Sequence, residues 1–164
     1  MQQDEFYHSA VARFGPAMRR LARVYSADYE DLLQDIHFAL WRSLATFSGA
    51  CSLKTWVYRV AHNTAISSKL RRKKLSLTSL EELSELPAEE DTEQRIGQAQ
   101  AVAKIRSLIA TLKPPDDEVM LLYLEDLDAQ SIGEITGLSP GAVATRIHRI
   151  KAVLARRFGE GEHP

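Results

Sequence analysis

The chain has 164 residues, a length that suits two small helical domains or one ordinary one. Its 45% hydrophobic and 26% charged residues fit a globular rather than a disordered protein. No apolar run approaches the roughly 20 residues of a membrane helix, and the start, Met1 to Glu5, lacks the pattern of a signal peptide. The single cysteine, Cys51, excludes an intramolecular disulfide. Together these features predict a cytoplasmic protein without membrane insertion.

The formal net charge of −1 hides a segregation of charge along the chain. Residues 51–80 and residues 140–158 carry lysines and arginines but no acid, whereas residues 81–95 carry seven acids against one arginine. Two basic blocks on either side of an acidic block indicate two surfaces that face a polyanion, joined by a solvated connector.

Apolar residues recur at helical spacing through most of the chain, and no segment shows sustained strand alternation, so the predicted fold class is all-α. A first helical pattern is expected to be interrupted at Gly15 and Pro16. A second helix should begin after the N-cap Asp28. Its apolar stripe consists of Leu33, Ile36, Leu40 and Leu44. A third helix should follow the cap Ser52. Its inner face consists of Leu53, Trp56, Val57, Val60, Ala61 and Thr64.

The helical pattern divides the chain into two parts. Periodicity fades between residues 76 and 95, where acids accumulate around Pro87, and this predicts a flexible acidic linker. Helical spacing then returns and ends at Pro114 and Pro115. We therefore predict two small helical domains, at residues 1–75 and 96–160, joined by a linker at residues 76–95.

The strongest local pattern, from Ala129 to Lys151, predicts a helix-turn-helix. Gly133 allows a close helix crossing, and Gly137 suits a left-handed helix end. Ser139 can cap the next helix, and Pro140 fits its first position. The inward positions of that helix are Val143, Ile147, Ile150 and Leu154. Its outward positions are Ala142, Ala144, Thr145, Arg146, His148 and Arg149. An ordinary hairpin with a solvated basic face fits the spacing alone, but the coincidence of these signals favours entry into a DNA major groove.

The second predicted helix carries polar residues on or near one face. They are Asp28, Asp31, Gln34 and Asp35. Taken alone, this pattern is best explained as a solvated acidic face. A metal-dependent hydrolase would need further carboxylate or histidine ligands at helical spacing, and His37 is the only nearby candidate. We therefore expect neither a metal ion nor another cofactor.

Three segments together resemble the extracytoplasmic-function (ECF) subfamily of sigma-70-type RNA polymerase sigma factors. Residues 28–41 resemble its acidic motif with a Gln-acid pair and a closing Trp. Residues 53–63 with their basic tail resemble the promoter-melting segment, and residues 112–154 resemble the C-terminal helix-turn-helix domain. The three occur in the family's order, are separated by an acidic linker, and cover nearly the whole chain.

This resemblance implies a role for each segment. The acidic helix would dock on the clamp helices of the largest polymerase subunit, with Leu33, Ile36 and Trp41 in the core. Its polymerase contacts would be Asp28, Asp31, Gln34 and Asp35. The −10 element would be melted and held by Arg59, His62, Asn63, Lys69, Arg71 and Arg72. The −35 element would be read by Ser139, Ala142, Thr145, Arg146, His148 and Arg149.

The implied partners are core RNA polymerase (its clamp helices and flap), promoter DNA and an anti-sigma factor, and no catalytic activity is expected. The chain departs from the family's pattern at Ala144, where a basic residue is usual, and at Ser67, where an acid is frequent. Three alternatives remain open: a dimeric helix-turn-helix regulator, a metal-dependent nuclease, and a degenerate sigma-like protein that does not initiate transcription.

Overall fold

The computed structural model describes residues 2–76 and 98–160. Within these ranges the regular structure is entirely helical, as the sequence predicts. The helices are α1 (Gln2–Tyr25), α2 (Tyr29–Leu44), α3 (Leu53–Ser76), α4 (Gln98–Ala110), α5 (Asp116–Leu124), α6 (Ala129–Thr136) and α7 (Pro140–Glu160). None of these described helices is long and apolar enough to cross a membrane. Beyond Ser76, the predicted linker lies outside the described residues.

The chain separates into two compact units, Met1–Ala88 and Glu89–Pro164. In the first unit, α1, α2 and α3 pack against one another in all three pairings. The apolar core of this unit consists of Ala10, Phe14, Ala17, Met18, Leu21, Ala22, Leu32, Ile36, Leu40, Leu44, Val57, Tyr58, Ala61 and Ala65. Burial of these side chains supplies the main favourable free energy for folding of the unit.

Helix α1 continues through Gly15 and Pro16, so the predicted interruption is wrong. A proline inside a helix costs about 3 kcal/mol or more. Phe14, Ala17 and Met18 lie on both sides of the proline and are buried in the same core. Each large apolar side chain that is buried contributes about 1.5–3 kcal/mol, which is enough to keep the helix in one piece.

The buried sides of α2 and α3 differ in part from the predicted stripes. On α2, Leu32 is 1% exposed whereas Leu33 is half-buried, and Trp41 is 39% exposed rather than part of the core. Helix α3 packs against both α1 and α2, so its buried side is broader than one stripe and includes Tyr58 and Ala65. The predicted positions Leu53, Trp56, Val60 and Thr64 are half-buried.

The predicted caps lie where the helices begin. The Thr55 backbone N–H donates to Ser52 Oγ at 3.1 Å, which caps α3. Asp28 occupies the N-cap position of α2, although its side chain makes no capping hydrogen bond. A cap that the sequence analysis did not name is Asp128, whose Oδ1 accepts from the Ser131 backbone N–H at 2.8 Å.

The second unit contains the predicted helix-turn-helix, formed by α6 and α7 and packed against α5. A Cβ atom on Gly133 would lie 2.5 Å from the Leu138 carbonyl oxygen, so only glycine fits there without a shift. Gly137 ends α6 with φ 86°, in the left-handed region. Ser139 Oγ accepts from the Ala142 backbone N–H at 3.1 Å and caps α7. The apolar core consists of Ile109, Val119, Met120, Leu121, Leu122, Leu127, Ile132, Ile135, Val143, Ile147 and Ile150.

Candidate functional site

The outer side of α2 combines acids with exposed aromatic rings. Asp31, Gln34 and Asp35 are exposed, which fits both a solvated acidic face and a surface that binds a partner. Phe38 is 60% exposed and Trp41 is 39% exposed on the same helix. Helical spacing from Asp31 through Gln34 and Asp35 to Phe38 brings these side chains to one side of α2. The result is a mixed acidic and apolar surface, of the kind that protein partners bury.

Sequence reasoning did not identify Phe38 and assigned Trp41 to the core. The Trp41 indole Nε1 donates to Asp4 Oδ1 of α1 at 2.8 Å, which holds the ring at the surface. The Arg42 guanidinium lies 5.6 Å from the centre of the Phe38 ring. Asp28 is exposed at the start of the helix. The signal for Phe38 was present in the sequence, because it lies seven residues, two helical turns, after Asp31.

The residues predicted to bind the −10 element lie along α3 in different environments. Asn63, Lys69, Arg71 and Arg72 are exposed, and Arg59 is half-buried. Lys69, Arg71 and Arg72 lie close together near the C-terminal end of α3. The exposed amide therefore precedes a basic segment on the same helix.

Arg72 is fixed to the turn between α1 and α2. Its Nη1 donates to Ser26 Oγ, a hydroxyl in a buried residue. The Asp28 backbone N–H donates to the same hydroxyl at 3.1 Å. The basic end of α3 and the acidic start of α2 therefore share one anchoring residue.

His62 does not belong to the accessible surface, which corrects its assignment as a DNA contact. The residue is 5% exposed, and its Nδ1 shares a hydrogen bond of 3.2 Å with the Tyr25 hydroxyl. Burial lowers the pKa of the His62 imidazole to about 4, so the ring is neutral at neutral pH. The hydrogen bond to Tyr25 joins α1 to α3, and the buried ring offers no accessible surface to a partner.

The residues predicted to read the −35 element lie on the outer side of α7. Thr145, His148 and Arg149 are exposed, while Ala142 and Arg146 are half-buried. Ser139 is exposed at the start of the helix, where its hydroxyl serves as the cap. The opposite side of α7 is buried in the core, so the helix offers small, hydroxyl and basic groups outward.

An ion pair that the sequence did not predict joins this surface to α5. Arg146 Nη1 lies 2.7 Å from Asp116 Oδ1, and Arg149 Nη2 lies 3.4 Å from Asp116 Oδ2. Asp116 is the first residue of α5. The partners are 30 and 33 residues apart along the chain, so only the packing of α5 against α7 brings them together.

The described residues contain no cluster of three or more His, Cys, Asp or Glu that could hold a metal ion. Asp31 and Asp35, which the metal-dependent alternative would use, lie on the exposed side of α2. His37, the nearby candidate, instead hydrogen-bonds through Nδ1 to the Tyr7 hydroxyl at 2.8 Å. That alternative therefore has no ligand set in this part of the chain.

Two family models match the chain, and each matches residues within one of the two units. The model of sigma-70 region 2 matches residues 10–75, and the model of sigma-70 region 4 matches residues 103–154. The chain belongs to the ECF subfamily of sigma-70-type RNA polymerase sigma factors, the subunits that direct polymerase to promoters. The membership that the sequence motifs predict is thus confirmed.

Relatives and a solved structure agree with this membership. The chain is 29% identical over 132 residues to RNA polymerase sigma factor YlaC of Bacillus subtilis (strain 168), covering 79% of this chain and 76% of that protein. It is 28% identical over 153 residues to ECF RNA polymerase sigma factor SigW of the same organism, covering 85% and 79%. The structure of sigma factor RpoE with the anti-sigma factor NepR from Bartonella quintana matches with a TM-score of 0.70 at 19% identity, covering 90% of this chain and 93% of that chain. This likeness confirms the all-α, two-domain fold.

Proposed function

We propose that the chain initiates transcription by docking on core polymerase through α2, melting the −10 element with α3 and reading the −35 element with α7. The observation that supports the proposal most directly is the difference in chemistry between the outer side of α2 and the outer side of α7. The outer side of α2 is acidic and aromatic, whereas that of α7 is small, hydroxyl-bearing and basic. A protein partner suits the first surface, and a nucleic acid suits the second.

The exposed Phe38 supports the docking role of α2. Binding free energy at protein interfaces concentrates in a few large side chains that become fully buried, and polar neighbours keep water away from them. Phe38 provides such a side chain, and Asp31, Gln34 and Asp35 provide polar neighbours. The carboxylates, with Asp28, attract a basic partner and set its orientation. The clamp helices of the largest polymerase subunit are the proposed partner of this surface.

The exposed polar residues of α3 support single-strand capture at the −10 element. Capture of an extruded base requires polar groups for the base edge and cations for the backbone. The exposed Asn63 amide offers both a donor and an acceptor. Lys69, Arg71 and Arg72 offer the cations, and Arg59 adds one that is half-buried. The anchoring of Arg72 on Ser26 keeps the basic segment of α3 ordered before DNA arrives.

The composition of the outer side of α7 supports duplex reading at the −35 element. Small side chains that face the bases allow a helix to approach the major groove closely, and Ala142 and Thr145 are such residues. Arg146 and Arg149 supply donors for guanine edges or phosphates. Ser139 and His148 lie at the margin of the same surface.

The remaining roles follow from the same assignment. The second unit meets the polymerase flap, and the chain works in the cytoplasm without a catalytic group of its own. The solved relative RpoE is bound to the anti-sigma factor NepR, and we extend this kind of regulation to the present chain. Docking on polymerase raises the effective concentration of each DNA-binding surface at its element, so two weak contacts act as one strong contact.

In vitro transcription tests the proposed function. Purified protein and bacterial core polymerase are incubated with a library of random promoters, and core polymerase alone is the control. The proposal predicts start sites that depend on the protein and share two sequence blocks upstream. Binding to core without new transcripts would favour a degenerate sigma-like protein. No binding to core would contradict the proposal and favour a dimeric regulator.

A further inference from the structure

The carboxylate of Asp116 contacts two arginines of the surface that we assign to −35 reading. One oxygen lies 2.7 Å from Arg146 Nη1, and the other lies 3.4 Å from Arg149 Nη2. The Asp116 side chain is 23% exposed, that of Arg146 is 31% exposed and that of Arg149 is 60% exposed. The shorter contact is therefore the better shielded one, and the longer contact faces more solvent.

We propose that Asp116 is a positioning residue for −35 recognition: it holds Arg146 for a base edge and keeps Arg149 close to α5 until a phosphate replaces the carboxylate. This inference rests on the proposed function of α7. An arginine side chain carries about 2 kcal/mol of rotamer entropy, and ordering it before binding lowers the cost of forming a specific contact. Arg146 has five N–H donors, so one bond to Asp116 is compatible with a further contact to DNA.

The same carboxylate also weakens the attraction of the surface to DNA of any sequence. A negative charge beside the groove-facing arginines repels phosphates and reduces the non-specific electrostatic attraction. Because this repulsion does not depend on sequence, it lowers both affinities alike. The ratio of specific to non-specific affinity therefore depends on the positioning of Arg146.

Asp117 provides a matched control, because it is the next residue in the first turn of α5. Its Oδ1 accepts from the Glu118 backbone N–H at 2.8 Å, a local contact within the same helix turn. Asp116→Asn and Asp117→Asn remove the same charge from the same helix end, so both lose a similar interaction with the helix dipole. Only Asp116→Asn removes the ion pair with Arg146.

The experiment uses the full chain bound to core polymerase. The probes are promoter fragments selected by the wild-type protein, with the −35 block intact or scrambled. The measured quantity is the ratio of the two affinities. A good contact between an arginine and a base contributes about 1–3 kcal/mol of discrimination. Without its ion pair, Arg146 should lose part of this free energy. We therefore expect Asp116→Asn to lower the ratio of the two affinities roughly fivefold or more. Asp117→Asn should leave the ratio within about twofold of wild type, because the Asp117 carboxylate accepts from the neighbouring Glu118 N–H, whereas Arg146 pairs with Asp116.

A second pair of variants tests whether Asp116 acts through Arg146. In the Arg146→Ala background, Asp116→Asn should cause no further loss of the ratio, because the positioned side chain is already absent. A further loss of the ratio as large as the loss that Asp116→Asn causes alone would contradict the proposal. An unchanged ratio for Asp116→Asn alone, or an equal loss for Asp117→Asn, would also contradict it. If wild type itself does not distinguish the two probes, the proposed −35 function fails rather than this inference.

Circular dichroism checks that each variant folds. If Asp116→Asn does not fold, Asp116→Glu replaces it, because glutamate keeps the charge at the start of α5. Its longer side chain still reaches both arginines, so we expect it to retain most of the ratio. A loss for Asp116→Glu of fivefold or more would show that an ion pair at this position does not set the ratio, and it would overturn the inference.

Discussion

The two units use polar side chains in different places. The buried polar or charged side chains found in residues 2–76 and 98–160 are Ser26, Thr55 and His62, and all three lie in the first unit. In the second unit Asp116 of α5 pairs with Arg146 at the partly exposed outer side of α7. The first unit therefore joins helices through buried polar groups, such as His62 with Tyr25, whereas this ion pair of the second unit lies on the surface that we propose for DNA reading.

This difference separates stability from recognition in the two units. In the first unit the surface that we propose for polymerase docking contains an exposed ring, Phe38, that the core does not need. In the second unit the arginines of the surface that we propose for −35 reading also contact α5. Changes to the two units should accordingly produce distinguishable defects.

The largest expected effect is on binding to core polymerase. Phe38→Ala should weaken this binding by about 2–4 kcal/mol, because the ring is a large exposed apolar group on the acidic side of α2. The free energy of unfolding should change by less than about 0.5 kcal/mol, since the ring is already exposed. Leu70→Ala is the matched control, because Leu70 is 62% exposed on α3. Equal losses for both variants, measured by titration of core polymerase, would refute the docking role of α2.

The next effect concerns the pH dependence of stability in the first unit. The pKa of His62 is about 4 in the folded protein, below the value of about 6.5 in the unfolded chain. The unfolded state therefore binds the proton more readily, so stability falls as the pH is lowered from about 6.5 to about 4. The total loss is about 3 kcal/mol. His62→Gln should remove the contribution of His62 to this pH dependence.

Both tryptophans, Trp41 and Trp56, belong to the first unit, so urea unfolding followed by their fluorescence reports on that unit alone. His148→Gln is the control, because His148 is an exposed residue of the second unit. Burial and the charge of Arg19 also lower the pKa of His37 in this unit, so a smaller pH dependence should remain in His62→Gln. An undiminished pH dependence in His62→Gln would show that His62 is not responsible.

A smaller effect is expected for the turn of the helix-turn-helix. Gly133→Ala places a Cβ atom 2.5 Å from the Leu138 carbonyl oxygen, and the backbone must shift to accept it. Such overpacking costs about 1–3 kcal/mol, and the higher helix propensity of alanine offsets up to about 1 kcal/mol. We therefore expect a net loss of about 1–2 kcal/mol in the second unit, with the tryptophan transition of the first unit unchanged.

Gly141→Ala separates packing from helix propensity. A Cβ atom on Gly141, in α7, would meet nothing within 4 Å. This variant should be neutral or gain up to about 1 kcal/mol. If circular dichroism found Gly133→Ala as stable as Gly141→Ala, the close approach at Leu138 would not constrain the turn.

Local signals were sufficient to predict the helix-turn-helix. The left-handed end at Gly137, the cap at Ser139 and the close approach at Gly133 each depend on neighbours within a few residues, and all three are confirmed. The all-α class and the family membership were also predictable, because helical periodicity and several motifs in order carry that information. The functions of individual site residues stay predictions.

The errors arose where several elements meet. Helical periodicity alone does not show that α3 packs against two helices. His62 was therefore predicted to lie at the surface, but it is buried. Local propensity predicted a break at Pro16, but burial on both sides of the proline outweighed it. The pairing of Asp116 with Arg146 joins residues that are 30 positions apart, and no local pattern encodes such a contact.

One crossed experiment tests most directly the claim that α2 binds polymerase and α7 reads DNA. Wild type, Phe38→Ala and Arg146→Ala are each assayed for affinity to core polymerase and, with core saturated, for the ratio of affinities for intact and scrambled −35 blocks. The account predicts that Phe38→Ala weakens core binding about 30-fold or more and leaves the ratio unchanged. Arg146→Ala should lower the ratio about tenfold and leave core binding within about twofold. Two variants that lose both properties together would contradict the account.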